Sequence, residues 1–428
     1  MGMTSMVSAV RSQVLGMVAR RFAGGGIGPY AGISMLPDKV LWPLHRDGLD
    51  PVPEMARRRA EEPISRIPLP FGIRAWLVTG YEPVRAVLGS VDGYSNDFGK
   101  FAGKVGINVQ QDPGGLGFAD PPVHSRLRKV LTPEFTMRRL ARLQPRIEAI
   151  VAGRLDALAA AGDTADLWHE WALPIPALTI CELLGVPYAD REYFQKLSTA
   201  RFDLAEGTGA PLGAVGESLT YIGGLITQQR KEPGDGLIGS LIRAHGDAID
   251  DRELAGLADG VLTGGLETSA SMLALGALVL MTDQGMADRM RAGDGIDQMV
   301  EELLRHLTVV QVAFPRVAVK DVRVGDVDVR AGDVVMCSLS GADRDEVALG
   351  PGQDTIDPSR VPSRSHLAFG YGIHRCIGAE LARMELRVAY PALVRRFPQL
   401  RPAVPPAELA FRKASIVFGL DSLPVTLS

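Results

Sequence analysis

The stretch HLAFGYGIHRCIGAELARMEL, residues 366–386, gathers the residues best able to do chemistry. Cys376 follows His366, Gly370, Gly372 and His374, and precedes Gly378 and an apolar run at helical spacing. A structural zinc ion needs about four ligands, usually paired as Cys-x2-4-Cys or His-x3-5-His, and the chain has no Cys-x-x-Cys. An iron–sulfur cluster takes roughly four cysteines. This chain has three, Cys181, Cys337 and Cys376, and they are scattered. A dinucleotide loop needs G-x-G-x-x-G, and Arg375 stands at the third glycine position. A nucleophilic cysteine needs a base. His374 is close in sequence, but partners at i and i+2 of a turn need not face each other. An inert core cysteine leaves the glycine cluster without a reason.

A haem thiolate supplies one. Glycines let the backbone pass close to a flat ring. A cysteine at the start of a helix receives free N–H groups and the positive end of the helix dipole. Those groups favour the thiolate, whose electron donation favours O–O cleavage at haem iron.

FGYGIHRCIG, residues 369–378, resembles the ligand loop of the cytochromes P450, F-G-x-G-x-H/R-x-C-x-G, with every fixed position filled. The similarity extends over most of the chain and weakens before about residue 94. It implies haem b held through Cys376, with Phe369, Gly370, His374 and Gly378 shaping the loop. GGLETS, residues 264–269, resembles the oxygen-activation segment of the family's central helix, although the family usually has alanine where Gly264 stands. Two adjacent glycines, Gly264 and Gly265, cost a helix about 1 kcal/mol each against alanine, so close approach or local widening is expected there. The resemblance makes Glu267 and Thr268 a proton relay beside bound dioxygen. Taken alone, such a threonine bonds back to its own helix. EELLR, residues 301–305, resembles E-x-x-R and implies a buried structural pair of Glu302 with Arg305. His124 and Arg128 in DPPVHSRLRKVL, Arg316 in FPRVAV, and His374 match the family's donors to the two haem propionates. Buried carboxylates need such partners. GADRDE, residues 341–346, has Asp343 where the family usually shows asparagine. The EVALGPGQ stretch after it departs from the family pattern and reads as surface.

These residues need a largely helical frame. Residues 142–162 form an amphipathic pattern ended by glycine, and residues 252–283 form a long, mostly apolar one. Asp120 reads as the N-cap of the helix carrying His124 and Arg128. Residues 316–339 alternate as short strands with turns at Gly325-Asp326 and Ala331-Gly332. A last helix is expected from about Ile377 to Arg396. The end of the chain reads as a hairpin turning at residues 419–422. The fold expected is mainly α: the P450 fold, one domain over residues 1–428, with a smaller β-rich part. The haem would lie between the long central helix and the cysteine-loop helix.

The chain has 428 residues, 46% of them hydrophobic, and a net charge of -4, which argues against a nucleic-acid footprint and leaves room for a local basic patch. Few, dispersed cysteines fit a reducing cytoplasm. Residues 1–30 carry apolar residues at helical spacing with Arg11, Arg20 and Arg21, and read as a less ordered or surface-docking segment. Residues 261–281 are long enough to span a bilayer, but Glu267 in their middle points to a buried core helix and no integral membrane contact. The resemblance implies monooxygenation of a lipophilic small molecule of terpenoid, steroid or fatty acyl type. It uses dioxygen and two electrons from a ferredoxin with its NAD(P)H-dependent reductase. Arg126, Lys129 and Arg375 are candidates for the ferredoxin face. Substrate walls are expected at residues 95–118 and 200–214 and at Leu262, Gly265, Val312, Phe314, Val417 and Phe418. The competing readings are a haem-binding sensor or carrier without turnover, a peroxide-driven peroxygenase, and a cysteine hydrolase.

Overall fold

The structure, a computed structural model, describes residues 38–69, 73–97, 115–200 and 209–428. The N-terminal segment with its three arginines lies outside them. Twelve helices of eight or more residues are described: α1 (Pro53–Glu61), α2 (Tyr81–Gly89), α3 (Val123–Leu131), α4 (Gln144–Ala160), α5 (Pro174–Leu184), α6 (Arg191–Ala200), α7 (Gly209–Lys231), α8 (Leu237–His245), α9 (Asp251–Thr282), α10 (Gln284–Ala292), α11 (Ile296–Leu307) and α12 (Ala379–Arg396). Helix α9 starts on a real cap, the Asp250 side chain accepting from the Glu253 N–H. It then runs through the middle of the molecule, packed by α5, α7 and α12. It is long and apolar enough to cross a membrane, yet 72% of its most apolar window is buried inside the fold. It is therefore a core helix.

Besides the short antiparallel pair Arg46–Asp47 and Asp50–Pro51, the described strands are β1 (Ile64–Pro68), β2 (Arg74–Val78), β3 (Tyr94–Ser95), β4 (Thr164–Asp166), β5 (Arg316–Ala318), β6 (Val322–Val324), β7 (Val327–Val329), β8 (Val334–Cys337), β9 (Arg401–Pro402) and β10 (Pro424–Thr426). The main sheet has the order β1-β2-β8-β5-β3, with β2 and β8 parallel. Hairpin β6–β7 turns at Gly325, whose φ is 53°.

Two local expectations are corrected. Asp120 does not cap α3, which begins after Pro122. Its carboxylate accepts instead from the Ser95 hydroxyl and, at 2.8 Å, from the Asn96 N–H. That ties the entry of α3 to β3. The chain end is not a self-paired hairpin: β10 lies between β9 and β4, while Val417 bridges Val310 and Phe411 bridges Leu420. Asp166 decides this, accepting from the Leu423 N–H at 3.0 Å and the Ser422 hydroxyl at 2.6 Å.

The sheet and helices meet at a buried polar seam. His306, at the end of α11, lies 3.4 Å from the Asp50 carboxylate. Burial, with Arg344 assisting, pushes its imidazole down to about 4 from 6.5, against the pull of Asp50. The folded protein thus keeps His306 neutral where the unfolded chain takes up a proton. Stability will fall as pH drops from about 6.5 to about 4 and flatten below. Melting temperature measured against pH will show this slope, and His306→Gln will reduce it.

Candidate active site

The loop carrying Cys376 is held by its own backbone and by α2. The Cys376 N–H donates to the Phe369 carbonyl at 2.8 Å, and the Gly370 N–H to the Leu367 carbonyl at 2.7 Å. Gly370 and Gly372 have φ of 69° and 74°, the region that favours glycine. A Cβ on Gly372 would also run into the Leu88 carbonyl at the end of α2. Arg85 of α2 lies 4.6 Å over the Tyr371 ring and donates to its hydroxyl at 2.9 Å.

Cys376 sits deep among protein atoms, yet its surface is accessible, whereas Cys181 and Cys337 are buried. It therefore opens onto interior space. Burial pushes its thiol up. The Gly378 N–H and the charges of Arg128, Arg375 and Arg383 work in the opposite sense, the pattern that prepares a thiolate for a metal. The other two cysteines are pushed up to about 12 by burial.

Helix α9 carries a second accessible stripe. Gly260 and Gly264 are exposed within this core helix and Thr268 is partly so, each one turn from the next. A Cβ on Gly264 would meet nothing within 4 Å among the described residues, and with its exposure this gives the stripe an open side. A Cβ on Gly265 would press on Ile180 of α5 at 3.3 Å, so its missing side chain lets α9 and α5 pack closely. The Thr268 hydroxyl donates back to the Gly264 carbonyl at 2.7 Å, the local bond expected of a lone helical threonine. Its oxygen keeps lone pairs to accept with. Glu267 turns to Arg412, 2.6 Å away, which also holds Asp421 at 2.9 Å and covers the Trp168 ring at 4.8 Å. Burial still pushes the Glu267 carboxyl up, against Arg412.

The four expected propionate donors converge. The His124 and His374 rings lie 4.1 Å apart. His374 is driven down to about 3 by burial, then by Arg316, His124 and Arg128. His124 is lowered by burial and by the same two arginines. Both ring nitrogens of His124 and the Nε of Arg316 are buried without a partner among the described residues. Crowded cations and orphaned donors are costly. They fit a dianionic group placed among them, as the two carboxylates of haem b would be. Each charged hydrogen bond of this kind contributes about 1.5–3 kcal/mol. His124→Leu with Arg316→Leu will therefore lower haem retention about tenfold or more, read as the rate of haem transfer to apomyoglobin.

Of the expected walls, Phe314 is partly exposed and its ring lies 4.8 Å from that of Phe118. Val312 and Val417 keep a sliver of surface, 8% each. Leu262 and Phe418 have none. Phe418 is stacked between Phe411 and the Arg46 guanidinium. Both are corrected to core positions behind the wall. Residues 98–114 and 201–208 of the expected wall loops lie outside the described residues. In the expected docking face, Arg126 is taken up by an ion pair with Glu253, leaving Lys129 and Arg375 exposed.

Cytochrome P450 165C4 of Amycolatopsis orientalis is 42% identical over 353 residues, 82% of this chain and 86% of its own. The chain belongs to the cytochrome P450 family. The family's sequence model, Cytochrome P450, matches residues 296–412. Vitamin D3 dihydroxylase of Streptomyces griseolus is 40% identical over 372 residues, 85% of this P450 and 90% of the relative. Among solved structures, OxyC is described as a cytochrome P450 implicated in an oxidative C–C coupling reaction during vancomycin biosynthesis. It superposes with a TM-score of 0.80 at 38% identity, covering 89% of this chain and 95% of that one. This P450 is thus a monooxygenase-family oxidoreductase with cysteine-ligated haem b.

Glu302 and Arg305 form the buried pair expected. Sequence patterns did not mark Arg412 or Arg383, whose partners Glu267 and Glu301 lie 145 and 82 residues away.

Proposed function

We propose that this P450 hydroxylates a lipophilic small molecule with dioxygen, taking two electrons from a ferredoxin and its reductase in the cytoplasm. One observation carries the reading: an accessible, interior Cys376 and the bare Gly260–Gly264–Thr268 stripe of α9 both border open space, with the orphaned donors of His124 and Arg316 nearby in the fold. Haem held there supplies reductive activation of dioxygen. The chain does the rest. His124, Arg128, Arg316 and His374 bind the carboxylates, and Cys376 holds the iron. Gly264 leaves room on the α9 side. Thr268 accepts and passes protons at its Oγ, and Glu267, whose carboxyl burial pushes up against the pull of Arg412, delivers them in its neutral form. Phe118, Val312, Phe314 and Val417 exclude water and present apolar surface to substrate. Lys129 and Arg375 remain to meet an acidic ferredoxin. Three free cysteines suit a reducing compartment.

Thr268→Ala removes the hydroxyl without touching Cys376. Peroxide released per electron consumed will rise severalfold while the reduced carbon monoxide spectrum stays unchanged. Unaltered coupling would remove Thr268 from the relay and favour a peroxide-driven enzyme. A sensor or carrier predicts no turnover in either protein.

The likeness to OxyC supports a second reading, oxidative coupling within one substrate. Turnover under oxygen-18 dioxygen separates the two. Hydroxylation places one labelled oxygen in the product, and coupling places none.

A further inference from the structure

Beneath the cysteine loop lies an ion pair that the reaction as described does not use. Arg383 of α12 donates from Nε to Glu301 Oε1 at 2.6 Å and from a terminal nitrogen to Oε2 at 2.9 Å. Its other terminal nitrogen donates to Glu380 at 2.8 Å. Held this way, the guanidinium lies 4.7 Å over the ring of Phe369, the residue whose carbonyl accepts from the Cys376 N–H. Glu301 also holds His366, 3.2 Å from its Nε2, and the His366 ring packs 5.8 Å from Phe369. One carboxylate therefore fixes two groups that pack against Phe369, the residue whose backbone accepts from Cys376. The Arg383 side chain is only 11% exposed, so solvent screens its charge weakly.

We propose that Arg383, clamped by Glu301 against Phe369, is a positioning residue that sets how much charge the Cys376 thiolate donates to haem iron, and so sets its one-electron reduction potential. The proposal rests on the haem-thiolate reading above. Positive charge near the sulfur holds electron density on it and makes the iron easier to reduce. Glu301 offsets part of that charge. Burial opposes ionisation of Glu301, but the bonds from Arg383 and His366 outweigh it and hold the carboxyl down at about 2. The offset is thus present throughout the neutral range.

The two partners must then shift the potential in opposite directions, which a merely structural clamp would not do. The test is a dye-equilibrated redox titration of substrate-free holoprotein, with the reduced carbon monoxide spectrum recorded for each variant. Arg383→Gln is expected to lower the ferrous-to-ferric ratio at the wild-type midpoint about tenfold, a shift of about 59 mV for one electron. Arg383→Lys retains the charge and stays nearer to wild type. Glu301→Gln shifts the midpoint upward. Unmoved midpoints, or shifts of both variants in one direction, overturn the proposal. Should Arg383→Gln fail to load haem, Glu301→Gln alone decides, and absence of an upward shift overturns it. Wild-type protein without the red-shifted thiolate band would instead show that the haem-thiolate reading has failed.

Discussion

Arg305→Leu will destabilise the protein by about 3–5 kcal/mol, the cost of leaving a buried partner uncompensated. That is a large share of the roughly 5–15 kcal/mol by which most domains are folded. The reason is full use of the guanidinium, which has five N–H donors. Two go to Glu302 at 2.8 Å each, and the others go to the carbonyls of Asp343, Gln353 and Thr355 at 2.9, 2.9 and 3.0 Å. Glu302 in turn accepts from the Asp357 N–H and from Arg360. One side chain of α11 thereby fastens the whole stretch leading into the cysteine loop. Arg305→Lys keeps the charge but cannot make the fork, and it will lose most of the same stability. Chemical denaturation of the holoprotein checks both. Burial opposes the Glu302 charge, yet Arg305 outweighs it and holds the carboxyl low. The contribution is therefore complete above the ordinary carboxylate range and lost as acid takes the pH through the lowered value.

Cys376→Ser will leave a folded protein that has lost monooxygenase activity. The loop is held by backbone bonds, from the Cys376 N–H to the Phe369 carbonyl and from the Gly370 N–H to the Leu367 carbonyl, which serine leaves intact. The cradle of His124, Arg128, Arg316 and His374 is untouched, so haem will still bind. A serine hydroxyl at this position supplies neither thiolate charge nor its electron donation. Turnover will fall below detection and the carbon monoxide band of the reduced protein will lose its thiolate red shift, with the melting temperature close to wild type. Retained oxygenation by the serine variant would contradict the assignment of Cys376.

The residues legible in the sequence are those whose role depends on near neighbours. The glycines of FGYGIHRCIG, the i, i+3 pair of Glu302 and Arg305, and the i, i+4 spacing of His124 and Arg128 each state their geometry within a few residues. The long apolar period of α9 and the alternation of β5 to β8 did so too. What failed was the identity of distant partners. Adjacent glycines looked alike, but Gly264 borders open space and Gly265 meets Ile180. Asp120 resembled a cap until Ser95 and Asn96 claimed its carboxylate. Leu262 and Phe418 were apolar in the right segments, and only packing shows that they lie behind the surface. Asp343 to Asp345 lie next to a stretch that read as surface and are themselves buried. Asp343 accepts from the Leu367 N–H at 2.6 Å and the Thr308 hydroxyl at 3.0 Å. It fills an interior polar position that an asparagine would also fit.

The most direct test of the central claim is the absorption difference spectrum of the wild-type protein, reduced with dithionite, with and without carbon monoxide. A strongly red-shifted Soret band is the result predicted for haem held by the Cys376 thiolate. A band at the position of histidine- or thiol-ligated haem, or no Soret band at all, would contradict it.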